Sequence, residues 1–201
     1  TKLSNSTKKI STNISFVDSA GLVKGASKGE GLGNKFLSHI REVDAIIHMI
    51  RCFDSSDIQN VNPNVDPIRD LEIIETEMML ADLESLQKRL EKNNKKNLDE
   101  DQLLLLKEAL ECINNSKDIS ILKSKFDKKQ LNQSGLLSLK SKIFVCNVDE
   151  KSVHDGNDYT KNFIDKYGSE KTMIISADIE NQINELEINE KKNYMEMIGL
   201  K

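Results

Sequence analysis

Apolar residues in this chain gather into short dense runs, and the stretches between them carry helical spacing. Ile14, Phe16 and Val17 form the first run, ending at Asp18, and predict a buried strand over Ile14 to Val17. From Asn34 to Val43, Phe36, Leu37, Ile40 and Val43 recur at helical intervals. The next run, Asp44 to Phe53, is almost continuously apolar through Ala45, Ile46, Ile47, Met49 and Ile50. Such a run predicts a parallel strand covered on both faces. Lys142 to Asn147 and Thr172 to Ser176 predict two further strands. Strands that alternate with helical stretches predict an α/β fold with a mainly parallel sheet. Thr1 to Asn13 is polar and reads as an approach to that sheet, with a short edge strand over Lys9 to Thr12.

Between the second and third predicted strands the pattern changes. Pro67 opens a helical segment to about Asn93, with Leu71, Ile74, Met78, Leu83, Leu86 and Leu90 on one side. The polar stretch Asn93-Asn94-Lys95-Lys96-Asn97 interrupts it, and a second helix follows over Asp99 to Asn114. The pair predicts an antiparallel helical hairpin rather than a sustained coiled coil, because the heptads are few and imperfect. Two readings stand for it: a pair that packs on the domain, or an arm that projects toward a partner. Lys123 to Leu139 returns the chain to the third strand, and Ile179 to Leu200 closes the sheet as one helix or two. The chain thus divides into residues 1–66, an inserted helical part over 67–139, and residues 140–201.

Composition narrows the class only slightly. With 201 residues, a net charge of −4 and no Trp, the chain holds one ordinary domain or a domain with an insertion. No long basic tract argues for sequence-specific DNA binding. Cys52, Cys112 and Cys146 are far apart and read as reduced, buried thiols of a cytoplasmic protein. His39, His48 and His154 lack metal-ligand spacing, and His48, on a strand, reads as a core residue. No apolar run reaches membrane-spanning length, and the N-terminus lacks a hydrophobic signal core, so no membrane partner is expected.

Two segments carry candidate chemistry. Asp18-Ser19-Ala20-Gly21 follows the first predicted strand and leads into a loop with Gly25, Gly29, Gly31 and Gly33. Asp-x-x-Gly alone is ordinary turn chemistry. With the glycine loop it matches the arrangement that nucleotide-hydrolysing switch proteins use to sense a γ-phosphate. Asp18 would then reach Mg²⁺ through water, and the Gly21 amide would point at the terminal phosphate. Leu22 stands where many GTP-hydrolysing proteins place a water-orienting glutamine. The second segment, Asn147-Val148-Asp149-Glu150, closes the third strand. It reads either as a polar turn or as an altered form of the Asn-Lys-x-Asp guanine reader. Glu150 is one methylene longer than the aspartate that pairs with the guanine N1 and 2-amino protons, and Val148 replaces the lysine, so the guanine fit is compromised. Ser176-Ala177 means nothing by itself.

Beyond these segments, the string from Phe16 to Asn34 combines with Arg41-Glu42-Val43-Asp44-Ala45, Ile50-Arg51-Cys52-Phe53, Val65-Asp66-Pro67 and Glu77 to Leu83. Together they resemble the Obg-like ATPase family, the YchF-type branch of the translation-factor-class P-loop NTPases. The resemblance implies a partial P-loop NTPase (Ras-like) sheet with a helical domain inserted at 67–139. It implies ATP and Mg²⁺ as cofactors, with Asp18 as metal residue and Asn147, Val148, Glu150, Ser176 and Ala177 around the base. In that arrangement Asn147 braces the base loop, Val148 lies on the purine face, and backbone N–H groups at Ser176 and Ala177 meet the base edge. The family shares the hydrophobic residue at Leu22 and recruits a histidine from the loop after the second strand; the matching position here is Asn60. An amide can position water but cannot act as a base, so Asp18, Gly21 and Asn60 make a slow catalytic set.

The resemblance further implies association with the ribosome, its large subunit and RNA, through the helical arm, or a role in stress regulation. It places a phosphate-binding loop upstream of Asp18 and a small TGS-like domain at the C-terminal side. Thr1 to Ile14 contains no G-x-x-x-x-G-K-[ST] segment, so the chain reads as an internal fragment, inactive alone. Rival readings are an Obg-class GTPase and a non-enzymatic ribosome- or partner-binding module. Without the loop that supplies most phosphate hydrogen bonds, these 201 residues are expected to bind ATP and Mg²⁺ more weakly than the micromolar range. Titration calorimetry checks this, and a micromolar Kd contradicts it.

Overall fold

The structure is a computed structural model that describes residues 12–18, 32–55, 64–93 and 99–199. Three strands order it: β1 (Ala45–Arg51), β2 (Ser141–Asn147) and β3 (Thr172–Ile175). They pair in parallel in the order β1-β2-β3, with Ile47 opposite Ile143 and Val145 opposite both Met49 and Met173. Parallel neighbours need crossovers rather than tight turns. The chain supplies α2 (Pro67–Asn93), α3 (Glu100–Asn114) and α4 (Lys128–Ser134) between β1 and β2, and α5 (Asp158–Tyr167) between β2 and β3. Before the sheet lies α1 (Leu32–Glu42); after it come α6 (Ala177–Glu185) and α7 (Ile188–Met197), so the predicted C-terminal stretch is two helices.

One sheet face carries the core. Ile50, Cys52, Phe144 and Cys146 meet Leu71 of α2 and Phe163 of α5, and the Phe144 and Phe163 rings pack edge-on at 5.4 Å. His48 belongs to the same face, its ring tilted against that of Phe144 with 5.7 Å between centroids. Burial, with some help from Lys142, lowers its pKa to about 4, which keeps it a neutral core residue. A second cluster joins Leu37 and Ile40 of α1 to Met78 and Ala81 of α2. A third joins Leu86 of α2 to Leu105, Leu106 and Ala109 of α3 and to Leu122 and Leu136. The 27 residues of α2, roughly 40 Å of helix, therefore serve all three clusters in turn: Leu71 under the sheet, Met78 and Ala81 against α1, and Leu86 in the helical part.

A buried carboxylate ties α2 to the segment just before β2. Asp82 on α2 accepts hydrogen bonds from the Leu137 N–H at 2.9 Å and the Ser138 N–H at 2.8 Å, just before β2. Burial pushes its pKa up and the two amides pull it back. Nearby, the Lys140 ammonium donates to the Arg41 and Val43 carbonyls, closing the C-terminal end of α1. The end of α4 turns at Gly135, whose φ of 67° is the left-handed conformation that glycine adopts without strain.

Two expectations are overturned. Ile14 to Val17 is not a strand: these residues lie outside regular secondary structure, with Ile14 77%, Phe16 79% and Val17 58% exposed. A strand draws its stability from a paired neighbour and a covered face rather than from its own residues, and the described sheet gives this run neither. The continuous apolar run of β1 is covered on one face, not two, since Ile47 is 50% and Met49 60% exposed. An apolar run records that both faces are apolar; it does not guarantee that the described residues supply both covers. The suggested edge strand at Lys9 to Thr12 lies outside the described residues except for Thr12, which has no regular structure.

Replacing Asp82 with Ala leaves two buried amides unpaired and is expected to cost about 3 kcal/mol. Asp82→Asn, which keeps one acceptor oxygen, should cost less. Urea denaturation of the two variants checks the order; equal, small losses contradict the bridging role.

Candidate functional site

Because the three strands run parallel, their C-terminal residues Arg51, Asn147 and Ile175 share one edge of the sheet. Open α/β sheets bind ligands in the crevice outside that edge. The ladder carries on just past the strands: the Cys52 N–H donates to the Asn147 carbonyl at 2.8 Å, and the Val148 N–H donates to the Ile175 carbonyl at 2.9 Å. Asn157 begins α5 with a reciprocal capping box to Thr160, and its side-chain amide donates to the Cys52 carbonyl at 2.7 Å. The turns after β1 and β2 are thereby held together.

The turns after β2 and β3 are joined by Asn147. Its side-chain oxygen accepts the Ala177 N–H, the first residue of α6, at 2.9 Å. Asp149 then caps a 3-10 turn over Glu150–Ser152, accepting the Ser152 N–H at 3.1 Å. This turn sets Glu150 on the exposed side of the edge, where one carboxylate oxygen accepts from the Gln182 amide at 2.7 Å. Gln182 in turn accepts from the Tyr194 hydroxyl of α7.

Ser176 departs from ordinary helix-cap behaviour. It occupies the N-cap of α6, where a serine hydroxyl usually accepts a backbone N–H, yet it makes no such bond. The residue is only 2% exposed, and its hydroxyl has no partner among the described residues. An unpaired buried hydroxyl costs about 1–3 kcal/mol, and this one lies at the end of β3, directly before Ala177, whose N–H Asn147 holds.

The structure brings Asn147, Glu150, Ser176 and Ala177 to one edge, but two of the expected roles change. Val148 is 3% exposed and packs with Ile50, Phe144 and Phe163, so its side chain faces the core instead of a purine. The reason is the strand alternation, continued one residue beyond β2. The Ala177 N–H, expected to meet a base edge, is already given to Asn147. Asp18 sits in the exposed segment outside the sheet. Gly21, Leu22, Gly25, Gly29, Gly31 and Asn60 lie outside the described residues, whereas Gly33, expected in the loop, falls in the first turn of α1. Arg51 is partly buried; its guanidinium donates to the Phe53 carbonyl and lies 5.1 Å from the Phe53 ring.

Gln182, Tyr194 and Asn157 are the residues that sequence reasoning missed. Gln182 and Asn157 are amides among many in an Asn-rich chain and Tyr194 is one of three tyrosines, and only the Asn157-x-x-Thr160 spacing could have flagged a helix cap. Among the described residues no group of three or more His, Cys, Asp or Glu side chains is arranged to hold a metal ion.

Comparison with known proteins places these features in context. A family model described as 50S ribosome-binding GTPase matches residues 1–81. A Bacillus subtilis (strain 168) protein named ribosome-binding ATPase YchF is 41% identical over 212 residues, taking in 100% of this chain and 57% of that protein. The Haemophilus ducreyi protein of the same name is 38% identical over 204 residues, 98% of this chain and 56% of that protein. Among solved structures, the Schizosaccharomyces pombe YchF GTPase matches with a TM-score of 0.69 at 27% identity, covering 87% of this chain and 50% of that one. The chain thus spans just over half the length of the curated relatives it matches. The relatives' names divide between ATPase and GTPase, so they do not settle which base is read.

Removing the clamp should be visible locally. Asn147→Ala is expected to cost about 1 kcal/mol and to raise the hydrogen-exchange rate of the Ala177 amide severalfold. Unchanged Ala177 protection contradicts a clamp between the two turns.

Proposed function

We propose that this chain, which belongs to the YchF family at 34–41% identity over nearly its whole length, is the base-reading part of an ATP-operated switch that acts on the ribosome. The observation that carries the reading is the pair of clamped turns at the sheet's C-terminal edge, with the Ser176 hydroxyl buried and unpaired between strand and helix. Adenine suits this edge: it offers one exocyclic amine as donor and ring nitrogens as acceptors. In the proposed pose a Glu150 oxygen accepts from that amine and Asn147 keeps the two turns in register. Ser176 supplies a hydroxyl that costs nothing further to desolvate, since folding has already buried it.

Magnesium belongs to the reading through Asp18 alone. A single carboxylate suits an ion that otherwise keeps water and phosphate oxygens. Among the described residues no group of three or more His, Cys, Asp or Glu side chains gathers around Asp18. Hydrolysis by the complete switch is expected to be slow, because Leu22 cannot hold a water and Asn60 cannot take a proton.

The ribosome half of the proposal draws on the relatives' names and assigns the contact to the helical part over residues 67–139. There α2, α3 and α4 enclose a cluster of their own, so the arm can bear load without drawing on the sheet. A cytoplasmic location follows from a ribosomal partner. Among the described residues, no helix is long and apolar enough to cross a membrane.

Both halves have direct tests. In a titration followed by amide NMR, millimolar ATP should shift the signals of Asn147 to Glu150 and Ser176 to Gln182 ahead of those on the arm. In sedimentation through a sucrose cushion, the chain should pellet with ribosomes. Shifts confined to the arm contradict the nucleotide half; a chain that stays in the supernatant contradicts the ribosomal half.

A further inference from the structure

We propose that His48 is an acid-operated release for α2: once its imidazole takes a second proton, the first half of that helix lets go of the sheet. The basis is where the ring sits. β1 sets His48 on the face that α2 and α5 cover, and the residue is only 6% exposed there. Its Nε2 has no hydrogen-bond partner among the described residues, and the Phe144 ring lies tilted against it. A neutral imidazole tolerates that setting. An imidazolium does not, because both of its nitrogens become donors and its charge is cut off from water.

The charges that face His48 come from each neighbouring element. Glu75 stands on α2 and Lys142 on β2, and the two bond to each other at 2.9 Å. Burial disfavours the charged ring most, Lys142 adds to that, and Glu75 opposes it. From α5, Tyr167 packs on the same Phe144 ring with 5.4 Å between centroids. Burial, with Glu75 and Glu72, pushes its hydroxyl up to about 12, so it carries no charge. Asp118 and Lys123, opposite in sign, lie beyond Lys142. Glu75 is thus the anion that a charged His48 would need, and it is already committed to Lys142. Protonation must either take Glu75 from Lys142 or leave a cation unpaired in the core. The first course undoes the ion pair that ties α2 to β2; the second favours any opening that lets water reach the ring. Both act on the contact between α2 and the sheet.

The sign follows from the two states of the chain. Burial lowers the folded His48 from the ordinary 6.5 to about 4. Between those values the unfolded chain binds a proton that the folded chain does not, so stability falls as the pH drops below 6.5 and this loss is complete near 4. At pH 5 this one group makes the unfolding constant about thirtyfold larger than at pH 7.5. Since α2 runs on to Met78 and Leu86, a release beside Glu75 also frees the element that carries the helical part. None of this requires a bound nucleotide.

The test compares the 201-residue chain with His48→Leu, which keeps an apolar side chain in the core and cannot titrate. Urea denaturation at pH 7.5 and pH 5.0 gives the unfolding constants. Between the two conditions, the constant of the unsubstituted chain should rise about thirtyfold more than that of the variant, whose remaining slope reports the groups both chains share. Equal slopes overturn the proposal. An NMR titration of the His48 ring protons in the unsubstituted chain stands independently of whether the variant folds. No titration is expected above pH 5, and a midpoint near 6.5 overturns the proposal. Hydrogen exchange at pH 5, corrected for the intrinsic rate, locates the release: Leu71 to Met78 should lose protection before Leu105 to Ala109 of α3. Simultaneous loss in both helices contradicts a release at α2.

Discussion

Parallel pairing of β2 with both of its neighbours is the constraint on which the molecule depends. Once β1, β2 and β3 run the same way, every turn that leaves a strand leaves at one edge, and every return passes over a face. The polar residues after the strands are thereby gathered although they lie far apart in sequence. Asn147 converts that gathering into a fixed geometry, because a side chain on one turn replaces the hydrogen bond that the next helix would otherwise seek from water. The Asp82 carboxylate does the corresponding work near the opposite edge of the sheet, pinning the segment before β2 so that the strand enters in register.

How much of this was visible beforehand follows from what each signal measures. The helices read well: Pro67 and the breaks near Asn93 and Asp99 are local punctuation, and the observed bounds of α2 and α3 fall where that punctuation stands. β1, β2 and β3 also read well, since dense apolar runs between turn residues leave few alternatives. The run at Ile14 to Val17 carried an equal local signal, and it is no strand in the described sheet. Strand formation is a property of pairs, and no single run reports its partner. Val148 misled for a related reason. Its place in a base-reading tetrapeptide suggested an outward side chain, but the alternation of β2 persists past Asn147 and turns it into the core. Gln182 left no mark at all, because its bond to Glu150 exists only where α6 crosses the turn after β2.

The edge also shows how stability and binding are divided. The apolar clusters lie under the sheet and within the helical part, whereas the edge is built from exposed or half-buried polar groups tied in pairs. Ser176 is the exception, buried with its hydroxyl unpaired. A core that is complete without the edge leaves the turns free to be tuned to a ligand, and of the buried unpaired polar atoms among the described residues the Ser176 hydroxyl is the one at the end of β3. The long helix α2 contributes to all three clusters, so a shift at the sheet has one rigid element through which to reach the helical part.

The most direct test of the account is to find where a purine touches the chain. Photolabelling with 2-azido-ATP, followed by proteolysis and mass spectrometry, reports the contact covalently even when binding is weak. The account predicts label within Asn147 to Ser152 and Ser176 to Gln182, reduced by excess unlabelled ATP. Label confined to α2, α3 or α4, or label that excess ATP leaves undiminished, would contradict a purine site at the carboxyl ends of the strands.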